Sequence, residues 1–125
     1  MILIDSDILI WILRNNDEYI NKFRKTAKDH NGHIFITPIQ YLEIMAGTKD
    51  KERINTEIFL DSLGTINIDK TAGKLAGEFM RIFNKSHSVQ SADAMVAAVA
   101  KLHDLKLWTN NKKHFPMLKK SEFLE

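Results

Sequence analysis

The sequence predicts an α/β fold in which a central, mostly parallel sheet carries helices on both faces. Short aliphatic runs and longer amphipathic stretches alternate along the chain, the order expected of repeated strand–helix crossovers. The opening MILIDSDILI sets a brief apolar run, Ile2–Ile4, directly before acids, as in a buried strand that stops at the carboxyl edge of its sheet. In such sheets the ligand crevice lies beyond that edge. No repeat, low-complexity segment or linker interrupts the pattern, so residues 1–125 are expected to form one domain.

Residues 6–13 read as a helical turn or short helix, broken by Asn15 and Asn16. Residues 17–29 form an amphipathic helix, with Tyr19, Ile20, Phe23 and Ala27 at helical spacing. Asn31-Gly32 is a turn, and residues 33–36 are a second strand. Thr37, Pro38 and Gln40 then mark a helix start: a cap, a residue suited to the first helical position, and the other half of a capping box. That helix runs to about Ala46, with Gly47 as its stop. It is apolar almost all round, which predicts that it is largely buried. Residues 49–63 read as a charged amphipathic helix with Ile54, Ile58 and Leu63 near helical spacing, stopped by Gly64. A third strand over 65–68 leads to Asp69, which caps a helix from Lys70 to about Asn84. Residues 85–90 are a polar loop. Ser91 caps a helix with the apolar face Ala92, Met95, Val96, Val99 and Leu102, and residues 105–109 are the last strand.

A chain of 125 residues buries about two-thirds of its unfolded surface and needs no staples. It has no cysteine, which excludes disulfides and thiolate metal sites and agrees with a reducing cytoplasm. The N-terminal apolar run contains two acids and is too short to span a bilayer, so a cytoplasmic protein without a membrane partner is expected. A formal charge of +2 is too mild to identify a partner. Between residues 101 and 120, however, six lysines and two histidines face a single acid, Asp104. That stretch is either a phosphate-facing patch or a solvated face.

Each prominent acid has an ordinary explanation. Asp5 or Ser6 caps the first helix, Glu43 reaches water or a lysine at a helix edge, and Asp93 complements a helix dipole. Their positions together say more. Asp5 follows the first strand, Glu43 lies on the helix after the second, Asp93 opens the helix before the last, and Thr109, Asn110 and Asn111 end that strand. Carboxylates brought close without a cation repel and protonate. Oxygen ligands with neither Cys nor a His pair select a hard ion, Mg²⁺ or Mn²⁺. A cluster of this kind implies a metal and, beyond it, a phosphate-bearing substrate.

Four stretches, MILIDSDILI, TPIQYLEIMAG, SADAMVAAVA and LWTNNKKHF, resemble in order and spacing the PIN domain nucleases, and among them the VapC-type toxins of toxin–antitoxin pairs. The resemblance covers nearly the whole chain. It implies a PIN-like three-layer α/β/α sandwich, a Mg²⁺- or Mn²⁺-dependent endoribonuclease, and a homodimer held inactive by a cognate antitoxin. Matched residue by residue, it implies Asp5 and Asp93 as metal ligands and Glu43 as the third acid, ligating through water or orienting the attacking water. The fourth position, often aspartate in the family, is Asn111 here, in a T-x-N pattern. Asparagine brings no charge, so one ion rather than two is expected. The glycine common before the DAxxAA-like helix is absent. Ser6, Asp7 and Thr109 support the cluster, and Lys101, Lys112 and Lys113 hold the RNA backbone, with unstacked loops as targets and tRNA among the candidate substrates.

Two alternatives stand beside this reading. Asp5-x-Asp7 after a strand also fits a haloacid-dehalogenase-type phosphatase, in which the first Asp is the nucleophile, although Ile8-Leu9 and the lack of a later lysine with paired acids depart from it. A non-catalytic PIN-like module that binds RNA or protein is the other. The joint presence of Asp5, Glu43 and Asp93 weighs against it, because carboxylates impede phosphate binding unless a metal intervenes.

Overall fold

The computed structural model describes residues 1–125, apart from the side chain of Ser86. Its centre is a four-stranded sheet of β1 (Ile2–Ile4), β2 (Ile34–Ile36), β3 (Gly64–Thr65) and β4 (Lys106–Trp108), all parallel, in the order β3-β2-β1-β4. The register pairs Leu3 with both Phe35 and Leu107, and Ile4 with Trp108. Successive strand residues point to opposite faces, and the core divides accordingly. Leu3 and Leu107 pack with α5 (Lys70–His87) and α6 (Ser91–Leu102) on one side. Ile2, Ile4, Ile34, Ile36 and Trp108 pack on the other with α1 (Ser6–Leu13), α2 (Asp17–Asp29), α3 (Pro38–Gly47) and α4 (Arg53–Asp61). This is a three-layer α/β/α sandwich. The alanines of α6, from Ala94 through Ala100, let that helix lie close on the sheet, and all of them are buried.

Local signals explain the joins. Asn15 takes a left-handed conformation (φ 60°) that ends α1, and the Asn16 side chain accepts from the Tyr19 N–H to start α2. Asparagine tolerates and favours both roles. Gly32, at φ 76°, makes the turn into β2. The capping box at α3 forms as its sequence predicts, and it reaches further. Gln40, fully buried, accepts from the Thr37 N–H at 2.9 Å and donates through Nε2 to the Ile4 carbonyl at 2.8 Å. One side chain therefore fixes the carboxyl end of β1 to the start of α3. Gln40→Leu strands a buried carbonyl and a buried N–H, so it is expected to cost roughly 2–4 kcal/mol, read as a lowered urea midpoint at unchanged slope.

Several expectations are corrected. α3 is not largely buried: only Gln40 and Ile44 are, while Leu42 is 65% exposed and Glu43 is exposed. Ile39, Tyr41 and Met45 pack half-buried against the cores on either side of Gln40 and Ile44, and Leu42 stands out to solvent. The helix also runs through Gly47, and the Thr48 hydroxyl closes it by donating to the Ile44 carbonyl at 2.7 Å. The stretch 49–63 begins as a 3₁₀ turn, Asp50–Glu52, and its helix α4 buries Thr56 and Leu60 and turns Ile54 and Ile58 outward. Gly64 belongs to β3 rather than stopping a helix. A Cβ there would lie 2.5 Å from the Phe35 ring, so only glycine lets β3 pair closely with β2. α5 continues through the expected loop to His87 and ends at Ser88 (φ 50°), and Gln90, not Ser91, precedes α6. Beyond β4, the chain returns along that strand: Leu107 and Phe123 form a parallel bridge, and the Leu124 N–H donates to the Leu107 carbonyl at 2.9 Å.

Candidate active site

The carboxyl edge of the sheet presents Asp5 after β1, Thr37 after β2 and Thr109 after β4. Asp5 is held from several sides. Its N–H donates to the Trp108 carbonyl at 2.9 Å, joining it to the end of β4. Its Oδ1 accepts from the Ser6 N–H at 2.8 Å, so it does cap α1, and its Oδ2 accepts from the Thr109 hydroxyl at 2.9 Å. Capping and a place in the acidic cluster are therefore properties of the same side chain. Burial, with Asp7 and then Asp93 adding repulsion, raises its pKa to about 7 against the pull of those two hydrogen bonds.

Asp7, in the first turn of α1, organises the loop after β4. Its Oδ2 accepts from the Asn110 N–H at 2.8 Å, the Asn111 side-chain amide at 3.1 Å and the Thr109 hydroxyl at 3.3 Å. Its Oδ1 is buried with no hydrogen-bond partner. The Ser6 hydroxyl donates to Glu43 Oε1 at 2.7 Å and brings α3 to the start of α1. Asp93 stands in the first turn of α6, and its pKa is raised, first by burial and then by Glu43 and Asp7, while His114 opposes the rise. Asp5, Asp7, Glu43 and Asp93 thus act on one another electrostatically, although they come from three helices and a strand end.

The donor set fits a divalent ion. It is all oxygen and anionic, one buried oxygen lacks any partner, and no lysine or arginine pairs with any of the four acids among the described residues. A hard cation meets each of these demands. The acids face one region without closing it: among the described residues no three His, Asp or Glu side chains form a ready-made ion cage.

The expected supporting residues separate into two groups. Ser6, Asp7, Thr109 and Asn111 join the cluster directly, Asn111 through its amide nitrogen on Asp7. Lys112 and Lys113 line a neighbouring open cleft of about 630 Å³ with Lys22, Trp108, Thr109, Asn110 and Asn111. Lys101 is not brought there. Its Nζ pairs with Glu122 at 2.7 Å in a separate cleft beside Met1 and Asp104. Three contributors escaped the sequence reading. Lys22 lies 5.3 Å from the Trp108 ring centroid. Tyr19 receives a hydrogen bond from the Asn110 side chain at 2.8 Å and stacks on half-exposed Trp11. His114 Nδ1 lies 3.9 Å from Asp93 Oδ2. The D-x-D spacing and the Thr-Asn-Asn run were signals for Asp7 and its partners, whereas Lys22 and Tyr19 meet the site across the fold without any local motif.

Comparison with known proteins bears on the family and the fold. The family model described as PIN domain matches residues 2–120. A Mycobacterium tuberculosis protein named Ribonuclease VapC10 is 33% identical over 118 residues, covering 94% of this chain and 87% of its own. Ribonuclease VapC1 of Methanocaldococcus jannaschii is 26% identical over 94% of this chain and 81% of its own. Among solved structures, VapBC2 from Rickettsia felis bound to a DNA fragment from its promoter aligns with a TM-score of 0.77 at 26% identity, covering 99% of this chain and 96% of that one. A toxin–antitoxin complex from Klebsiella pneumoniae shares the fold, with a TM-score of 0.79 at 23% identity over 100% and 97% of the two chains.

Proposed function

Because the chain belongs to the PIN domain family, we propose that it is a divalent-metal-dependent endoribonuclease, the toxin of a toxin–antitoxin pair. The observation that carries the proposal is the group Asp5, Asp7, Glu43 and Asp93, gathered beyond the sheet's carboxyl edge with no basic side chain to neutralise it except His114. The names of the relatives support the ribonuclease part, and the complexes formed by the structural neighbours support an antitoxin as partner.

In this reading Asp5 and Asp93 would hold one Mg²⁺ or Mn²⁺, with Glu43 as the third acid of the site. Such an ion would supply charge to offset the scissile phosphate and would lower the pKa of water. The chain's residues arrange the rest. Ser6 holds the Glu43 carboxylate through its hydroxyl, and Glu43 would orient the attacking water and accept its proton. Asp7 fixes the Thr109–Asn111 backbone by its bonds to Asn110 and Asn111. Lys112 and Lys113, with Lys22 opposite, give the backbone of the RNA a cationic wall outside the acidic centre. Trp11, stacked on Tyr19 beside Asn110, carries the Arg14 guanidinium 5.6 Å from its ring centroid, which adds a cation near the cleft. Exposed apolar side chains on α1, α3 and α4 (Ile10, Leu42, Ile54, Ile58) are the surfaces on which a second copy and the antitoxin are expected to sit. Membership of this family sets the phosphatase alternative aside.

The test is cleavage of an RNA pool that includes native tRNA by the antitoxin-free protein. Cutting is expected in Mg²⁺ or Mn²⁺ and none in EDTA. RNA binding that is equal with and without the ion, with no cutting in either, would replace this reading with the non-catalytic one.

A further inference from the structure

An RNA strand whose scissile phosphate lies at the acidic group has to leave it over one side of the molecule. Three clefts reach members of that group or their partners, and they differ in charge. The groove between α1, α3 and α4 sets Glu43 and Glu52 against one cation, Arg14. The cleft beside α6 is small, about 280 Å³, and holds Asp93 with His87 and His114 but no lysine or arginine. Both would meet a chain of phosphates with carboxylates. The cleft beyond β4 is the exception: Lys22, Lys112 and Lys113 line it against Glu125 alone.

This cationic cleft does not end at Lys22. A second cleft, of about 440 Å³, continues from it along α2, and the two share Lys22, Leu124 and Glu125. Lys25 lines the second cleft one helical turn after Lys22, on the same face of α2. Rings steady two of the cations. Lys22 Nζ lies 5.3 Å from the centroid of buried Trp108, and Lys112 Nζ lies 5.4 Å from that of buried Phe123. Among the described residues no carboxylate pairs with Lys22, Lys25, Lys112 or Lys113. Cations that are already placed and unpaired lose less freedom on meeting a phosphate.

We propose that RNA leaves the acidic group along this flank, its sugar–phosphate backbone held in turn by Lys112 and Lys113, by Lys22 and then by Lys25. The inference rests on the ribonuclease reading above and adds the path of the strand and a contact region away from the chemistry. Glu125 lies where the two clefts join and opposes the strand, and Asp29 does the same in the second cleft. Contacts of this kind set affinity and its dependence on salt, not the base that is read.

The experiment follows the fluorescence anisotropy of a labelled oligouridylate of about twelve nucleotides with the antitoxin-free full chain in EDTA, between about 50 and 200 mM salt. Cleavage of an RNA pool in Mn²⁺ is measured with the same proteins. Each phosphate contact on a single strand adds about 0.7 to the slope of log affinity against log salt. Lys25→Ala is expected to reduce the slope by about that amount and to weaken binding roughly two- to fivefold. Lys22→Ala with Lys25→Ala should reduce the slope by about 1.4. Glu125→Gln should strengthen binding. Lys28→Ala removes the same charge from the same helix outside both clefts and is expected to leave the slope unchanged. In cleavage, Lys25→Ala should raise the half-saturating RNA concentration at an unchanged maximal rate. Circular dichroism checks that each variant is folded. Absence of binding by the wild type, or equal effects of Lys25→Ala and Lys28→Ala, overturns the path, and cutting by the wild type then leaves the nuclease reading in place. A face built for an acidic segment of a protein partner would leave cleavage unchanged in every variant, which also overturns the path. The expected pattern in binding from a wild type that cuts no RNA keeps the path and removes the nuclease reading. A wild type that neither binds nor cuts overturns both.

Discussion

Asp93→Asn is expected to lower RNA cleavage by at least roughly 10³-fold, the scale on which preorganised electrostatic stabilisation acts. The substitution keeps the size and shape of the side chain and removes its charge. Asp93 sits in the first turn of α6, and among the described residues its carboxylate accepts no hydrogen bond, so the loss should fall on ion binding rather than on folding. The expected pattern is a thermal melt in EDTA at neutral pH no lower than that of the wild type, because burial and the neighbouring acids load the native carboxylate, a lost Mn²⁺-dependent rise in that melt, and absent cleavage. Cleavage near the wild-type rate in an Asp93→Asn preparation would remove this residue, and with it the proposed centre, from the chemistry.

The second large effect has the opposite sign for stability. Asp5→Asn is expected to stabilise the metal-free protein at neutral pH while abolishing cleavage. The folded chain holds the Asp5 carboxyl at a pKa of about 7, against 3.8 in the unfolded state. Below pH 4 both states are protonated and the group contributes no difference. Between pH 4 and 7 the unfolded chain releases the proton that the folded chain keeps, so stability falls as pH rises through that window and levels off above it. The difference corresponds to about 4 kcal/mol. Asparagine still offers an oxygen to the Ser6 N–H, and its amide can donate to the Thr109 hydroxyl, so the cap survives. Urea unfolding of the two proteins in EDTA should give nearly equal stabilities at pH 4 and a variant advantage that grows to pH 8. Saturating Mn²⁺ should cancel that advantage by stabilising only the wild type. A variant that is less stable than the wild type at pH 8 without metal would mean that Asp5 is not under electrostatic load.

These two acids show what a sequence can and cannot carry. Asp5 and Asp93 were legible because a strand end and a helix start are local signals, and the alternation of elements places both at one sheet edge. Thr37, Pro38 and Gln40 were legible for the same reason, and the box forms as drawn. The bond from Gln40 to Ile4 spans 36 positions and has no local trace. His114 and Asp93, 21 residues apart, meet only because α6, β4 and the following turn fold back on one another. Leu42, Ile54 and Ile58 misled for another reason. Apolar spacing says that a face avoids water, but not whether this chain or another one covers it. The sequence marks Asp7 only as a supporting acid, because its shortest bond comes from the Asn110 N–H, a backbone donor 103 positions away that no motif announces.

The returning segment at Phe123 and Leu124 bears on how copies of this protein meet. β4 is an outer strand of the sheet, and a bare outer strand invites another chain to zip onto its backbone. Here that flank is occupied by the Leu107–Phe123 bridge and the Leu124 bond, and the opposite flank, β3, is only two residues long. Polymerisation by strand addition is therefore closed off at both ends. Association is then left to side chains on the helical layers, where its specificity can be set residue by residue, rather than to the generic adhesion of peptide groups.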